Sequence, residues 1–197
     1  MGSYCTELVE DNWCYRYYNT YSYNYQGVRY RKKFTHTCQY GFEEETKEKE
    51  IITFYDVDDN KILGEEWVNT SGVVTTRFRY FYDIEGITGL SYNGKNYNYL
   101  KDVLGNITKI TYQGRILAEY VYDAWENCQV NMIDIENEDE AFVVEYNPFR
   151  WESRYCDLET GNYYVDGRYY SPVLMQYLKA ESVENMLLQV NTLNSLD

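Results

Sequence analysis

Along most of the chain, polar and apolar positions alternate with a period of two, which is the signature of half-buried β-strands. Val73-Val74-Thr75-Thr76-Arg77-Phe78-Arg79-Tyr80-Phe81-Tyr82 sets Thr76, Phe78, Tyr80 and Tyr82 against Thr75, Arg77, Arg79 and Phe81, predicting one buried aromatic face and one wet face. Ile116 to Tyr122 behaves similarly, and Ile51-Ile52-Thr53-Phe54-Tyr55 is another β-branched and aromatic run. Turn signals return roughly every eight to fourteen residues, the rhythm of hairpins. They fall at Gln26-Gly27, Asp58-Asp59-Asn60, Ser71-Gly72, Glu85-Gly86, Asn93-Gly94, Gly105-Asn106 and Gln113-Gly114. Asn93-Gly94 is the strongest, because both residues tolerate the positive φ of a two-residue hairpin.

The expectation is a mainly β fold, an antiparallel hairpin meander forming a curved sheet, with a short C-terminal helix. Residues 1–20 are an N-terminal segment of uncertain role, 21–125 the meander, 126–146 an acidic loop, 147–181 a distinct motif, and 182–197 a helix or tail. In the acidic stretch, Ile133 to Glu140 reads as a loop or short helix and lacks the mid-loop glycine of an EF-hand. Near the end, Ser182 caps a helix in which Val183, Met186, Leu187 and Val190 share a face.

Tyrosine-aspartate phrases recur: Phe54-Tyr55-Asp56, Phe81-Tyr82-Asp83, Val121-Tyr122-Asp123 and, altered, Tyr155-Cys156-Asp157. Each is expected to end a strand on tyrosine and open a turn on an aspartate whose carboxylate accepts backbone N–H bonds. Asn147-Pro148-Phe149-Arg150-Trp151 then leads to Glu159-Thr160-Gly161 and to Arg168-Tyr169-Tyr170-Ser171-Pro172, with Asp166-Gly167 as a type I′ turn between two aromatic runs.

That ordered block resembles the core-domain signature of the Rhs or YD-repeat family. Upstream, Tyr92-Asn93-Gly94, Leu104-Gly105-Asn106-Ile107 and Tyr120-Val121-Tyr122-Asp123-Ala124-Trp125 are similar to its repeats. The resemblance implies a wall segment of an exported β-shell, extracellular or on the cell surface, whose partners are the remainder of a parent shell or a toxin cargo. Its structural residues are Asn147, Pro148, Phe149, Arg150, Glu159, Thr160, Gly161, Arg168, Tyr169, Tyr170 and Pro172. The family's self-cleaving aspartates are not matched, since Met175-Gln176-Tyr177 and Glu181 stand where Gly-Arg-Phe and Asp are usual. A fragment without toxin or cleavage region is therefore expected.

Composition narrows the alternatives. The 197 residues suffice for one domain or two small ones, and 25 tyrosines carry much of the burial. With 32 acidic against 18 basic residues the net charge is -14, which opposes a phosphate backbone and argues against nucleic acid. The basic cluster Arg29, Arg31, Lys32 and Lys33 reads as a salt-bridged surface. The five cysteines, Cys5, Cys14, Cys38, Cys128 and Cys156, have no zinc or disulfide-framework spacing, and His36 is expected to be exposed on a strand. No cofactor or metal is implied. No apolar run is long enough to span a membrane, and no signal peptide is evident; Gly2 with Cys5 fits a lipidation pattern only weakly.

No enzyme is expected. Carboxylate pairs such as Asp157 with Glu159, or Asp123 with Glu126, lack a base, an orienting group and an apolar pocket in sequence. The alternative function is a carbohydrate-binding or adhesion module using Trp13, Trp67, Trp125, Trp151 and exposed tyrosines. An open antiparallel sheet also carries edges on which self-association is expected.

Overall fold

A computed structural model describes residues 2–10, 13–40, 46–58, 61–165 and 167–178, with backbone alone for 2–10, 13 and 46–48. The expected helix from Ser182 and residues 179–181 of the motif lie outside the described residues. The protein is mainly β, with antiparallel sheets in which each strand pairs with its sequence neighbours of the same sheet. It divides into two compact units, the first ending at Arg77 and the second spanning Phe78–Leu178. That boundary falls within the stretch 21–125.

The first unit holds β1 (Gly2–Glu10), β2 (Trp13–Tyr23), β3 (Arg29–Tyr40), β4 (Thr46–Asp58), β5 (Lys61–Val68) and the start of β6 (Val74–Asp83). The N-terminal segment joins the meander, with β1 paired to β2 from Gly2↔Tyr21 to Glu10↔Trp13. Cys5 faces Tyr18 while Cys14 faces Val9, a stagger of roughly 13 Å along the strand at about 3.3 Å per residue, too far for a disulfide.

Two expectations are corrected here. The basic cluster is not all surface: Arg29 is 1% exposed and packs its guanidinium over the rings of Tyr21 and Tyr55 at 5.4 and 4.6 Å, while Lys32 is also buried. Cation–π stacking gives an arginine a place on a tyrosine-rich sheet face that a simple charge count does not foresee. Lys33 makes the expected kind of ion pair, with Glu50 at 2.8 Å. His36 is half-buried rather than exposed, stacked on Tyr17 with ring centroids 4.6 Å apart because the two residues are register partners.

The second unit continues β6 and adds β7 (Gly86–Tyr92), β8 (Lys95–Lys101), β9 (Ile107–Tyr112), β10 (Arg115–Tyr122) and β11 (Cys128–Met132). The alternation in β6 is as predicted, with Thr76, Phe78 and Tyr80 buried and Arg77, Arg79 and Phe81 exposed. In β10 a bulge between Ile116 and Ala118 turns both Leu117 and Ala118 inward. Gly89 in β7 cannot carry a side chain, since a Cβ there would collide with the Tyr97 carbonyl oxygen.

Residues 126–146, expected as an acidic loop, hold β11 and then α1 (Glu138–Tyr146). Asn137 caps the helix by accepting the Glu140 N–H, and acidic residues occupy its first turn, where the helix dipole favours them. Its Val143 and Val144 are fully buried, and Phe142 stacks on Phe78 and Tyr92 at 6.0 and 5.0 Å. The apolar side of a nominally acidic stretch is thus what covers the sheet. A second, four-stranded sheet follows: β12 (Tyr155–Asp157), β13 (Asn162–Val165), β14 (Arg168–Ser171) and β15 (Gln176–Leu178).

Gly89→Ala should therefore lower stability by about 2 kcal/mol or more, the scale of overpacking a tight site. Urea unfolding, with hydrogen exchange to show that the loss centres on the β7/β8 ladder, checks this.

Candidate functional site

The residues singled out in sequence converge on one arrangement, a strap that begins at α1 and crosses the inner face of the second unit's sheet. Hairpin alternation sorts the turns of that sheet onto two rims. The β7/β8 and β9/β10 connections are two-residue turns, Asn93-Gly94 and Gln113-Gly114, with positive φ at all four residues. The β6/β7, β8/β9 and β10/β11 connections share the opposite rim.

Two connections on that opposite rim are built alike. Asp102 Oδ1 accepts the N–H of Leu104 and Asn106, and Oδ2 accepts from Asn106 Nδ2 at 2.8 Å. Asp123 does the same with Trp125, Asn127 and Asn127 Nδ2. Gly105 and Glu126 occupy equivalent positive-φ positions, Glu126 at +68°. In the first unit Asn24 and Asn69 repeat the scheme without the fifth-position asparagine, each accepting two backbone N–H groups. The tyrosine-aspartate phrase thus makes the expected Asx turn at Asp123 and Asp83. Asp56 departs from it, lying inside β4 opposite Gly64, and Asp157 is fully buried, receiving Thr160 and Gly161 N–H on its carbonyl.

The strap is tied at both rims. At the two-residue turns, Asp139 accepts from Asn93 Nδ2 at 2.9 Å and Lys95 Nζ at 2.8 Å. Arg115 donates to buried Glu140 at 2.7 Å and to the Asp134 carbonyl. At the Asx rim, Asn106 Oδ1 accepts the Glu152 N–H, Ser153 Oγ donates to the Gly105 carbonyl, and Ile107 N–H donates to the Arg150 carbonyl. Glu126 completes the rim: its carbonyl accepts from Tyr163 and its carboxylate from Tyr170.

Between the ties sits Asn147, with 0% exposure. Its Oδ1 accepts from Tyr99 hydroxyl at 2.7 Å and from Phe149 N–H, while its Nδ2 donates to the Phe149 carbonyl and the Tyr120 hydroxyl. Tyr120 donates in turn to the Val144 carbonyl. An asparagine amide offers donors and an acceptor together, so it can satisfy two hydroxyls and its own backbone where a carboxylate or leucine could not.

The other motif residues build the second sheet and its packing. The Pro148 carbonyl accepts the Cys156 N–H, and Phe149 meets Tyr80 and Tyr155 edge-on at 4.8 and 5.6 Å. The Arg150 guanidinium lies 5.8 Å from the Tyr120 ring. Glu159 is exposed, Thr160 and Gly161 close the β12/β13 turn, Arg168 covers the Tyr177 ring, Tyr169 packs on Tyr164, and Pro172 is buried. Trp151, half-buried, packs on Tyr163 and Tyr170, and Trp67 donates to Glu65, whereas Trp125 is 49% exposed at its turn tip. The side chain of Trp13 lies outside the described residues.

The electrostatics are those of a packed structure. Burial pushes the Cys156 thiol up to about 12, and raises the Tyr122 and Tyr163 hydroxyls well above their ordinary range. The bond from Asn127 holds the Asp123 carboxyl below its ordinary range. At Asp102 burial pushes upward, and bonds from the Asn106 side chain and the turn N–H groups more than offset it. Neither carboxylate pair considered in sequence forms a catalytic dyad, because Asp157 is buried beside exposed Glu159, and Asp123 and Glu126 are both engaged in turn and strap bonds. Among the described residues no group of His, Cys, Asp and Glu side chains is placed to hold a metal ion, and no helix is long and apolar enough to cross a membrane.

The chain is similar to known proteins in sequence over part of its length and in fold over most of it. A 120-residue stretch, 60% of the chain, is 35% identical to the tRNA3(Ser)-specific nuclease WapA of Bacillus spizizenii. The solved structure of TcdB2-TccC3-TEV matches 88% of the chain at a TM-score of 0.60 and 15% identity, a likeness of fold. The chain spans 5% of WapA's length and 9% of the TcdB2-TccC3-TEV chain. No family model matches.

Sequence reading missed Tyr99, Tyr120 and Glu126 as the strap's partners. The signal was present for two of them, as tyrosines at inward positions of their strands with hydroxyls that burial obliges to find partners.

Asn147→Ala should cost about 2–4 kcal/mol, since it removes the amide's bonds to two buried hydroxyls and to two backbone groups of Phe149. Denaturant midpoints of the variant and of Tyr99→Phe, expected to lose less, test this. The two turn carboxyls ionise more readily folded than unfolded, so their contribution is complete above the ordinary carboxylate range and is lost as pH falls through their lowered folded values. Asp102→Asn with Asp123→Asn keeps the Oδ1 acceptors. It should flatten the fall of melting temperature between about pH 5 and 2.5.

Proposed function

We propose that the chain is a non-enzymatic wall segment of an exported Rhs/YD-repeat β-shell, a container or surface scaffold. The observation that carries this reading is the strap. Every residue of the Asn147 to Pro172 signature for which a contact is described packs, ties or turns the structure, and the Asn147 amide at its centre is taken up by the Tyr99 and Tyr120 hydroxyls and the Phe149 backbone. A catalytic centre instead keeps a nucleophile, acid or base available to a substrate.

The nuclease named among the relatives is a far longer protein, of which this chain spans a twentieth. The chain's charge of -14 supports a role other than cutting RNA, because an RNA backbone would be repelled. Its partners in this reading are neighbouring shell segments and, through the complete shell, a toxin cargo. Its place is outside the cell or at its surface.

Two measurements test the reading. Incubation of the purified chain with tRNA should leave the RNA as intact as buffer does, and cleavage that survives repurification would overturn the assignment. Replacing the matched 120 residues of WapA by the corresponding residues of this chain should preserve a protease-resistant shell. A chimera digested throughout, while a graft from another Rhs shell remains resistant, would count against a wall role.

A further inference from the structure

The last strand of the meander ends the sheet in a way that specifies a partner. Ile133 N–H donates to the Leu117 carbonyl at 2.8 Å, and β10 and β11 stay in unbroken antiparallel register from Ala118↔Met132 to Tyr122↔Cys128. In such a ladder, hydrogen-bonded and non-hydrogen-bonded pairs alternate. Ile133, Asn131 and Gln129 therefore direct their backbone groups to β10. Cys128, Val130 and Met132 direct theirs away from it, and among the described residues no hydrogen bond takes up these outward groups.

Proteins guard an outer strand with lysine, proline, a bulge or a covering element. β11, Cys128-Gln129-Val130-Asn131-Met132, carries no charge and no proline in a chain that is 25% charged. Its register has no bulge, unlike that between β9 and β10. Gln129 and Asn131 are exposed, as is half of Met132, although α1 lies against β10 and β11 as well as stacking Phe142 on Phe78 and Tyr92.

We propose that β11 pairs antiparallel with β11 of a second copy of this chain, about a two-fold axis at Val130. The outward groups are self-complementary about that residue. Val130 faces the partner's Val130 and Cys128 faces the partner's Met132, giving three bonded pairs and about six backbone hydrogen bonds. Between them Gln129 faces the partner's Asn131, an amide pair that brings no like charges together. A strand of another protein would fit the backbone, but this symmetry and the uncharged amides favour a second copy. The proposal stands apart from the shell reading, since a dimer can form whether or not the chain is a wall segment.

Each copy carries -14, so long-range repulsion opposes pairing until salt screens it, with a Debye length falling from about 30 Å at 0.01 M to about 8 Å at 0.15 M. Sedimentation velocity of the full chain at tens of micromolar should show a monomer–dimer equilibrium whose dimer fraction rises with salt. Val130→Pro removes one outward N–H without touching the β10 ladder, and should weaken the dimer at least about tenfold with a nearly unchanged melting temperature. If that variant fails to fold, Gln129→Lys with Asn131→Lys should weaken the dimer as strongly, through repulsion across the axis.

Register is read by cysteines. Gln129→Cys and Asn131→Cys should each form no new disulfide alone beyond the background of the native chain, and a disulfide-linked heterodimer when mixed, because non-hydrogen-bonded partners sit about 4.5 Å apart at Cα. A chain that stays monomeric at every salt concentration, a dimer indifferent to both edge variants, or cross-linking of either cysteine variant with itself would overturn the proposal.

Discussion

The buried amide of Asn147 holds the second unit together in a way that no apolar residue could imitate. A sheet face rich in tyrosine gains burial from each ring but carries a hydroxyl that must also be satisfied wherever water is excluded. Tyr99 and Tyr120 meet that condition on Asn147, and Asn147 meets its own through the Phe149 backbone. The network is closed, so the strap has one seat. Slippage by a residue would put a proline or an aromatic ring against two buried hydroxyls.

That seat explains why the strap must be anchored at both rims rather than merely laid on the face. Helix α1 brings only a narrow apolar side, Phe142, Val143 and Val144, to the sheet. Its orientation is set instead by the polar ties from Asp139 and Glu140 to residues flanking the two-residue turns. At the other rim the Asx loops offer ready-made acceptors, the Gly105 carbonyl and Asn106 Oδ1, held in place by Asp102. Local turn chemistry and long-range packing use the same atoms.

Much of this architecture was legible in the chain. The alternation in β6 and the glycine turns are properties of neighbouring residues, and the structure bears them out because nothing distant opposes them. The recurring aspartate turn was legible as a phrase, though its complete form includes the asparagine that clamps the carboxylate from four positions on. Asp56 shows the limit, since the same three letters lie within a strand when Gly64 pairs opposite. What sequence could not show was partnership at a distance. Arg29 looked like one cation in a basic run until Tyr21 and Tyr55 enclosed it, and His36 looked exposed until register set it on Tyr17. The acidic stretch hid its buried side because three apolar residues among many acids give a weak pattern.

The two rims also constrain how such a chain can lengthen or shorten. Long Asx loops follow β8 and β10, and tight turns follow β7 and β9. Each hairpin returns the chain to the rim it left, so adding or removing two strands leaves the strap facing the same acceptors. A single strand gained or lost would deliver α1 to the wrong rim, with Asp139 and Glu140 beside carboxylate-capped loops instead of Lys95 and Arg115. The fold therefore counts in pairs, and duplication or deletion within it is viable only in even numbers of strands.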